Sequence, residues 1–434
     1  MKKILIEPNI ASVTMPENVR VGLMVSEYRI KCKSMGCPFD YLAFAFGQSP
    51  LPLPKVLSQA LIKNADKGHY SDANGVFELR EAIAGFNERH FGLKVSPDDI
   101  FVGPGTKGVV HIIFNILQGD VIIPSASWIG YSPIANLLEK PVHVLPTELK
   151  NDYKIEAKQL ETFLKKAKAK QHLLIINSPN NPTGAVYSKK ELEAIATVCR
   201  KYNTYVLADE IYALTTYKMS DFTSMGTVYP EGTFTLNGIA KDRSAGGYRV
   251  GYTIFPTNCH DELRAEFKKV AATMYTNIPT PIQYAAITAY KPNKEIEEYF
   301  DTARKLHQLI GQYMSQEVGK IKGLRVTKPK GGFYFFVDFN DVKKNLKRKG
   351  VKTSNQLAEF LIGHPQHFAM VTGDACMLDP DNFGGRIAFV DYDGEKVLKK
   401  FKSRPPKKGE EGAFIRKNAP NIEKGIKALE ELHL

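Results

Sequence analysis

Short apolar runs, each closed by a polar, proline or glycine break, alternate along most of the chain with longer stretches of helical period. The runs at 41–46, 100–102, 120–124, 141–146, 172–177 and 204–208 predict buried strands. The stretches at 55–64, 76–90, 109–117 and 189–202 predict helices, with Leu79, Ile83 and Phe86 on one face of the second. Strand and helix in alternation give an α/β fold: a mostly parallel mixed sheet flanked by helices on both faces. From 279 to about 319 the pattern is helical, with a break near Lys291-Pro292. Strands at 331–339 and 386–390 then predict a smaller α+β domain. Residues 401–421 are polar, contain Pro405-Pro406, and read as an inserted surface loop before a final helix at 422–432. Residues 1–35 have no strong period. The expected division is an N-terminal segment at 1–45 that includes part of the small domain, a large domain at 46–285 and a small domain at 286–434.

Composition narrows the class. A chain of 434 residues, 43% hydrophobic and 24% charged, is an ordinary globular protein with a sizeable core. The formal net charge is +13, much of the excess lying in 396–424. That basic stretch has no interleaved aromatics and reads as a solvated loop, so no nucleic-acid partner is expected. A positive field can still gather anionic substrates. The five cysteines, Cys32, Cys37, Cys199, Cys259 and Cys376, are scattered and offer no zinc spacing, so no metal is expected and reduced thiols are. The opening MKKILIEPNIA is interrupted by Glu7 and Pro8, unlike a signal peptide. No apolar run approaches membrane-spanning length. A cytoplasmic protein is expected.

The candidate chemistry gathers beyond predicted strand ends, where open α/β sheets bind ligands. In 235–251, TLNGIAKDRSAGGYRVG, Lys241 follows an apolar run and precedes a glycine-bearing segment and Arg249. A lysine held in a cavity has a lowered pKa and forms Schiff bases with carbonyls, although most lysines are solvated surface groups. Arg249 suits an anion near it. Gly103-Pro104-Gly105-Thr106-Lys107-Gly108, between a strand and a helix, reads either as a phosphate-cradling turn or as a plain one. Trp128, the single tryptophan, is core or a stacking platform. Asn177 to Gly184, NSPNNPTG, and Asp209-Glu210-Ile211-Tyr212 complete the set.

These blocks, in this order, resemble the fold-type-I pyridoxal-phosphate aminotransferases from about Asp40 to the final helix. The resemblance implies pyridoxal 5'-phosphate as cofactor and Lys241 as its Schiff-base lysine and proton shuttle. It implies Asp209 against the pyridine nitrogen, and Asn181 and Tyr212 on the phenolate oxygen. Arg249, Gly105, Thr106 and Lys107 would surround the phosphate, and Trp128 would stack on the ring. Arg386 and the backbone of Gly47 would hold the substrate α-carboxylate. Tyr70 would reach the phosphate of a neighbouring subunit, which implies a homodimer with shared active sites.

Two departures stand out. Gly238 and Ala240 occupy places where the family often has serines, and Asp242, directly after the lysine, is unusual. The implied activity is transfer of an amino group between an L-amino acid and a 2-oxo acid. Lys107 would favour aspartate and 2-oxoglutarate if it meets a distal carboxylate, and otherwise faces solvent. Phe46, Trp128, Tyr131 and Phe333 would suit an aromatic substrate, and alanine remains open. A C–S lyase or cyclopropane-forming synthase on the same scaffold keeps the same motifs. A non-catalytic regulator of this fold would need an appended DNA-binding domain, for which 1–45 is too short.

Overall fold

The computed structural model describes residues 4–13, 15, 17–36, 41–365 and 367–433. Its centre is a seven-stranded sheet. The strands are β1 (Ile100–Pro104), β2 (Asp120–Pro124), β3 (Val142–Leu145), β4 (His172–Asn177), β5 (Thr204–Asp209), β6 (Thr233–Gly238) and β7 (Val250–Ile254), in the spatial order β1-β7-β6-β5-β4-β2-β3. All run parallel except β7, which is antiparallel to both its neighbours. One edge of the sheet therefore collects the ends of six strands and the beginning of the seventh. Strands β4 and β6 are buried along their length and β5 everywhere but at Tyr205, as central strands of a sheet covered on both faces are. Strand β3 is the exception to the expectation of buried strands. It lies at the sheet edge, where His143 and Val144 are partly open to solvent.

The helices Thr280–Tyr290 and Lys294–Val318 lead away from this sheet, separated at Lys291-Pro292-Asn293 as the proline predicts. A second sheet follows: β8 (Arg325–Val326), β9 (Tyr334–Asp338), β10 (Val371–Thr372) and β11 (Gly384–Ala388), all pairs antiparallel, in the order β10-β11-β9-β8.

Two expectations are corrected, for 41–46 and 401–421, and the N-terminal region gains an assignment. Of residues 41–46, only Leu42–Ala43 form a strand, parallel to Phe368–Ala369; Phe44 and Ala45 are buried beyond it. The N-terminal region contains helices at Pro8–Ser12 and Glu17–Ser34. The second has almost no amphipathic period, and its buried apolar side chains Val21 and Val25 pack against Ile362, Ala369 and Val371. Residues 401–421 are largely helical: Gly394–Ser403, Glu411–Asn418 and Pro420–Glu430 are helices, and only a short connector around Pro405-Pro406 is irregular. Phe401 meets Phe414 edge to face at 6.0 Å, and Ile415 is fully buried. A few apolar side chains thus dock a stretch that its lysines made look solvated. Cys37 lies outside the described residues; Cys199, Cys259 and Cys376 are free buried thiols. Among the described residues no helix is long and apolar enough to cross a membrane.

Strands β6 and β7 approach most closely where Gly238 pairs with Gly251. A Cβ at Gly238 would lie 2.7 Å from the Val250 carbonyl oxygen, and one at Gly251 would lie 2.3 Å from the Thr106 nitrogen. The glycine at 238 therefore answers to this close approach. Gly238→Ser is expected to destabilise the chain by about 1–3 kcal/mol, as overpacking does, rather than to restore a useful hydroxyl. A thermal melt of the variant without added ligand checks this.

Candidate active site

The common edge of the large sheet opens into adjoining cavities of about 580 and 360 Å³. Gly105, Asp209, Lys241 and Arg249 reach it from positions at or just beyond the ends of large-sheet strands. Strand β1 passes directly into the helix Gly105–Ile116, so the predicted glycine-rich turn is a helix N-terminus with Gly105 at φ +76°. Its free amides face the cavity beside Thr106 and Lys107. A Cβ on Gly105 would fall 2.4 Å from Arg249 Nη2, so only glycine lets the two approach. Arg249 precedes β7, and the reversed direction of that strand is what brings it to this edge. Its guanidinium donates to the carbonyls of Gly246 (2.9 Å) and Pro104 (3.1 Å).

Asp209 ends β5 and is buried. It accepts from the Tyr131 hydroxyl at 2.6 Å and from the Ile211 amide at 3.3 Å. Burial pushes its pKa up, while Tyr131, the Ile211 amide and the Lys241 charge pull it down. Burial and Asp209 hold the Tyr131 phenol well above its ordinary value, so it remains the donor. Neighbouring β4 ends at Asn177, whose side chain donates to the Asp209 carbonyl (2.8 Å) and accepts from the Asn181 amide (2.7 Å). The NSPNNPTG turn is thereby folded back onto the site, with a cis Ser178–Pro179 bond within it.

Lys241 is half-buried, three residues beyond β6. Its Nζ donates to the Gly47 carbonyl at 2.7 Å and lies 5.6 and 5.7 Å from the ring centroids of Tyr212 and Phe333. The Tyr334 hydroxyl also donates to Gly47 (3.2 Å) and bonds to the Tyr212 hydroxyl (2.9 Å). Arg386, on β11, donates to Asn181 Oδ1 at 3.1 Å and to the Ala45 carbonyl, with its guanidinium 4.8 Å from the Tyr334 ring. Its Nε is buried without a partner. Lys107 is open to solvent, with its Nζ 5.4 Å from the Trp128 ring centroid. Partial burial, then Arg249 and Lys241, lower its pKa.

Of the predicted residues, Gly47, Gly105, Thr106, Lys107, Trp128, Asn181, Asp209, Tyr212, Lys241, Arg249 and Arg386 line the two cavities. Tyr70 does not; it is 84% exposed. Phe46 lines the smaller cavity, whereas Tyr131 and Phe333 are wholly buried behind it. Three participants were not foreseen in these roles: Tyr334, Asn177, and Tyr131 as the donor to Asp209. Tyr131 opens the helix Tyr131–Leu137 and meets Trp128, in the irregular segment before it, edge to face at 5.0 Å. Nothing in the sequence singles out Tyr334.

Glu210 is also buried, accepting from the Met225 amide (2.8 Å) and the Ser224 hydroxyl (3.0 Å). Burial pushes it up to about 8. The folded chain then keeps a proton that the unfolded chain releases above about 4.3, so this group's contribution to stability falls as pH rises between those values. Tm should decline from pH 5 to pH 8 more steeply in the parent than in Glu210→Gln, which mimics the neutral acid. Parallel melts across that range test the difference.

Comparison with known proteins gives a consistent result. The family described as aminotransferase class I and II matches residues 40–393. The chain is 31% identical over 346 residues to an asparagine–oxo-acid transaminase of Streptococcus mutans, covering 77% of this chain and 84% of that one. It is 31% identical over 327 residues to an aspartate aminotransferase of Bacillus subtilis, covering 72% and 79%. The solved structure of aspartate aminotransferase from Thermus thermophilus with maleate has the same fold, with a TM-score of 0.80 at 24% identity over 99% of this chain and 100% of that one. A match of this extent places the chain in the class I and II aminotransferase family, as a pyridoxal-phosphate-dependent transaminase.

Proposed function

We propose that this aminotransferase exchanges an amino group between aspartate and 2-oxoglutarate, with Lys241 at the reaction centre. The supporting observation is a cavity of about 360 Å³ lined by three cations, Arg386, Lys241 and Lys107. A dicarboxylic substrate offers two anions, so Arg386 would take the α-carboxylate as a planar fork and Lys107 the distal one. Names of relatives agree: several are aspartate aminotransferases. An aromatic-amino-acid aminotransferase of Thermococcus litoralis is also 31% identical, so a substrate panel is the deciding assay.

The residues fit pyridoxal 5'-phosphate. Helix amides, Thr106 and Arg249 meet at a cradle that a Cβ on Gly105 would fill. Asp209 offers a buried carboxylate, and the indole of Trp128 a flat surface, in the same cavity. When bound, the cofactor supplies an electron sink for the electron pair left at the substrate Cα. Asp209, oriented by Tyr131, would hold the proton on the ring nitrogen. Asn181 and Tyr212 would donate to the ring oxygen, with Tyr334 fixing the Tyr212 hydroxyl. Lys241 would link to the cofactor at rest. With the lysine freed by the incoming amino group, its Nζ would hold and move the proton lost from the substrate Cα. The buried Arg386 Nε lacks a partner, as a guanidinium awaiting a carboxylate would. We assign 46–285 to a large domain and 286–434, together with part of 1–45, to a small one, the cavity being lined from all three stretches. Tyr70, solvent-exposed and away from its own cavity, would serve the site of a second copy in a homodimer, in a cytoplasmic setting that suits free thiols.

Borohydride reduction of the loaded protein should tag Lys241, as read by peptide mapping, and Lys241→Ala should lose both tag and transamination. A tag on another lysine would sink the assignment. Amino acids tested against 2-oxoglutarate should separate the two cations. Arg386→Lys should impair every substrate, because an ammonium cannot replace the fork. Lys107→Ala should lower kcat/KM for aspartate by about tenfold to a hundredfold, the scale of a hydrogen bond to a charged group at about 1.5–3 kcal/mol, and spare alanine and phenylalanine. An equal fall for all three would assign Lys107 to the phosphate cradle, and no fall would leave it facing solvent.

A further inference from the structure

Directly behind Lys241 lies a charged pair that the reaction does not use. Asp242 is 3% exposed and Arg243 is 0% exposed. Arg243 Nη1 donates to Asp242 Oδ1 at 2.8 Å, and Nε donates to the Ala289 carbonyl at 3.1 Å. The guanidinium carbon sits 4.6, 4.7 and 4.8 Å from the ring centroids of Phe86, Tyr290 and Phe300. These rings come from three helices, Phe77–Phe91, Thr280–Tyr290 and Lys294–Val318. The pair is incompletely satisfied: Asp242 Oδ2 and Arg243 Nη2 have no partner.

Stability alone does not account for such a pair. Desolvating two charges is expensive, and apolar residues of similar volume often hold a fold as well or better. What the pair does supply is direction. A guanidinium enclosed by three rings and bonded to a fixed carbonyl has few orientations, and its stem carries the backbone of residues 242 and 243 with it. With these two side chains turned into the interior, Lys241 is turned to the cavity. The next residue secures the far side. Ser244 has φ +53°, and its hydroxyl bonds to Ser49 (2.6 Å) and Tyr299 (2.7 Å). The lysine is thus clamped from its C-terminal side by three consecutive residues, where Gly238 and Ala240 on its N-terminal side contribute no polar contact from their side chains.

We propose that the buried Asp242–Arg243 pair is a positioning device that sets the height and direction at which Lys241 enters the cavity. The proposal rests on the assignment of Lys241 as the cofactor-bearing lysine. Neither residue touches substrate or cofactor; both act through the backbone of Lys241.

The test uses the full chain freed of cofactor, with the double substitution Asp242→Leu and Arg243→Met. Its melting temperature should stay close to the parent's or exceed it, because an apolar pair tolerates the site. The rate at which added pyridoxal phosphate becomes borohydride-trappable on Lys241 should nevertheless fall by about tenfold to a hundredfold, the scale set by a misplaced reacting group. The pH midpoint of the visible band should shift as well, which a purely structural role would not cause. A folded double variant with the parent's trapping rate and midpoint overturns the proposal. If the double variant does not fold, Asp242→Asn and Arg243→Lys, each conserving size or charge, carry the same measurements. Slower trapping in both supports the device, and parental rates in both overturn it. Mapping the tag in the parent keeps the two ideas apart. A tag elsewhere removes the Lys241 assignment and the proposal with it, whereas a tag on Lys241 with unchanged variant rates removes only the pair's role.

Discussion

The close contact of β6 with β7 at Gly238 and Gly251 governs the site. Strand β7 is the single antiparallel member of the large sheet, so it starts where the others finish. That reversal puts Arg249 beside the helix N-terminus at Gly105, and the absence of side chains at 238 and 251 lets the strands and that helix meet. Side chains here would push apart the segments that carry Lys241, Arg249 and Thr106. The anion cradle is therefore a product of backbone packing, and its charged side chains are added to a shape already fixed.

Charge in the cavity is distributed unevenly. Asp209 is a buried carboxylate whose direct hydrogen-bond donors, Tyr131 and the Ile211 amide, oppose the penalty of burial. Lys107, Lys241, Arg249 and Arg386 surround the rest of the space. Cations this close repel one another: after partial burial, Arg249 and Lys241 add to the lowering of the Lys107 pKa. Anions would relieve that repulsion, and a phosphate and carboxylates are the anions that the family's chemistry brings. Hydrogen bonds to the carbonyls of Gly47, Ala45, Pro104 and Gly246 hold three of these cations meanwhile.

The loop from Ala45 to Ser49 ties the two sheets together at this point. Its carbonyls accept from Lys241 of the large sheet's edge and from Arg386 and Tyr334 of the small sheet, and Ser49 bonds to Ser244. The helix Lys294–Val318 joins the same network through Tyr299. Movement of either sheet against the other would be felt at the nitrogen of Lys241.

The sequence by itself determined the α/β class and most strand positions, because apolar runs and turn chemistry are local signals, and it pointed to eleven of the cavity's residues through the resemblance of its motif blocks to the aminotransferase family. It misread 401–421, where a few docking side chains outweigh a charged pattern, and left 1–35 unassigned because its helix has no amphipathic period. Tyr334, Asn177 and the role of Tyr131 depend on which strands become neighbours, which no local pattern encodes. Asp242 looked like an oddity beside the lysine. Only the tertiary structure decided its meaning, since the rings around Arg243 come from helices far apart in the chain, and burial turns an unremarkable Asp-Arg dipeptide into an ion pair with a fixed direction.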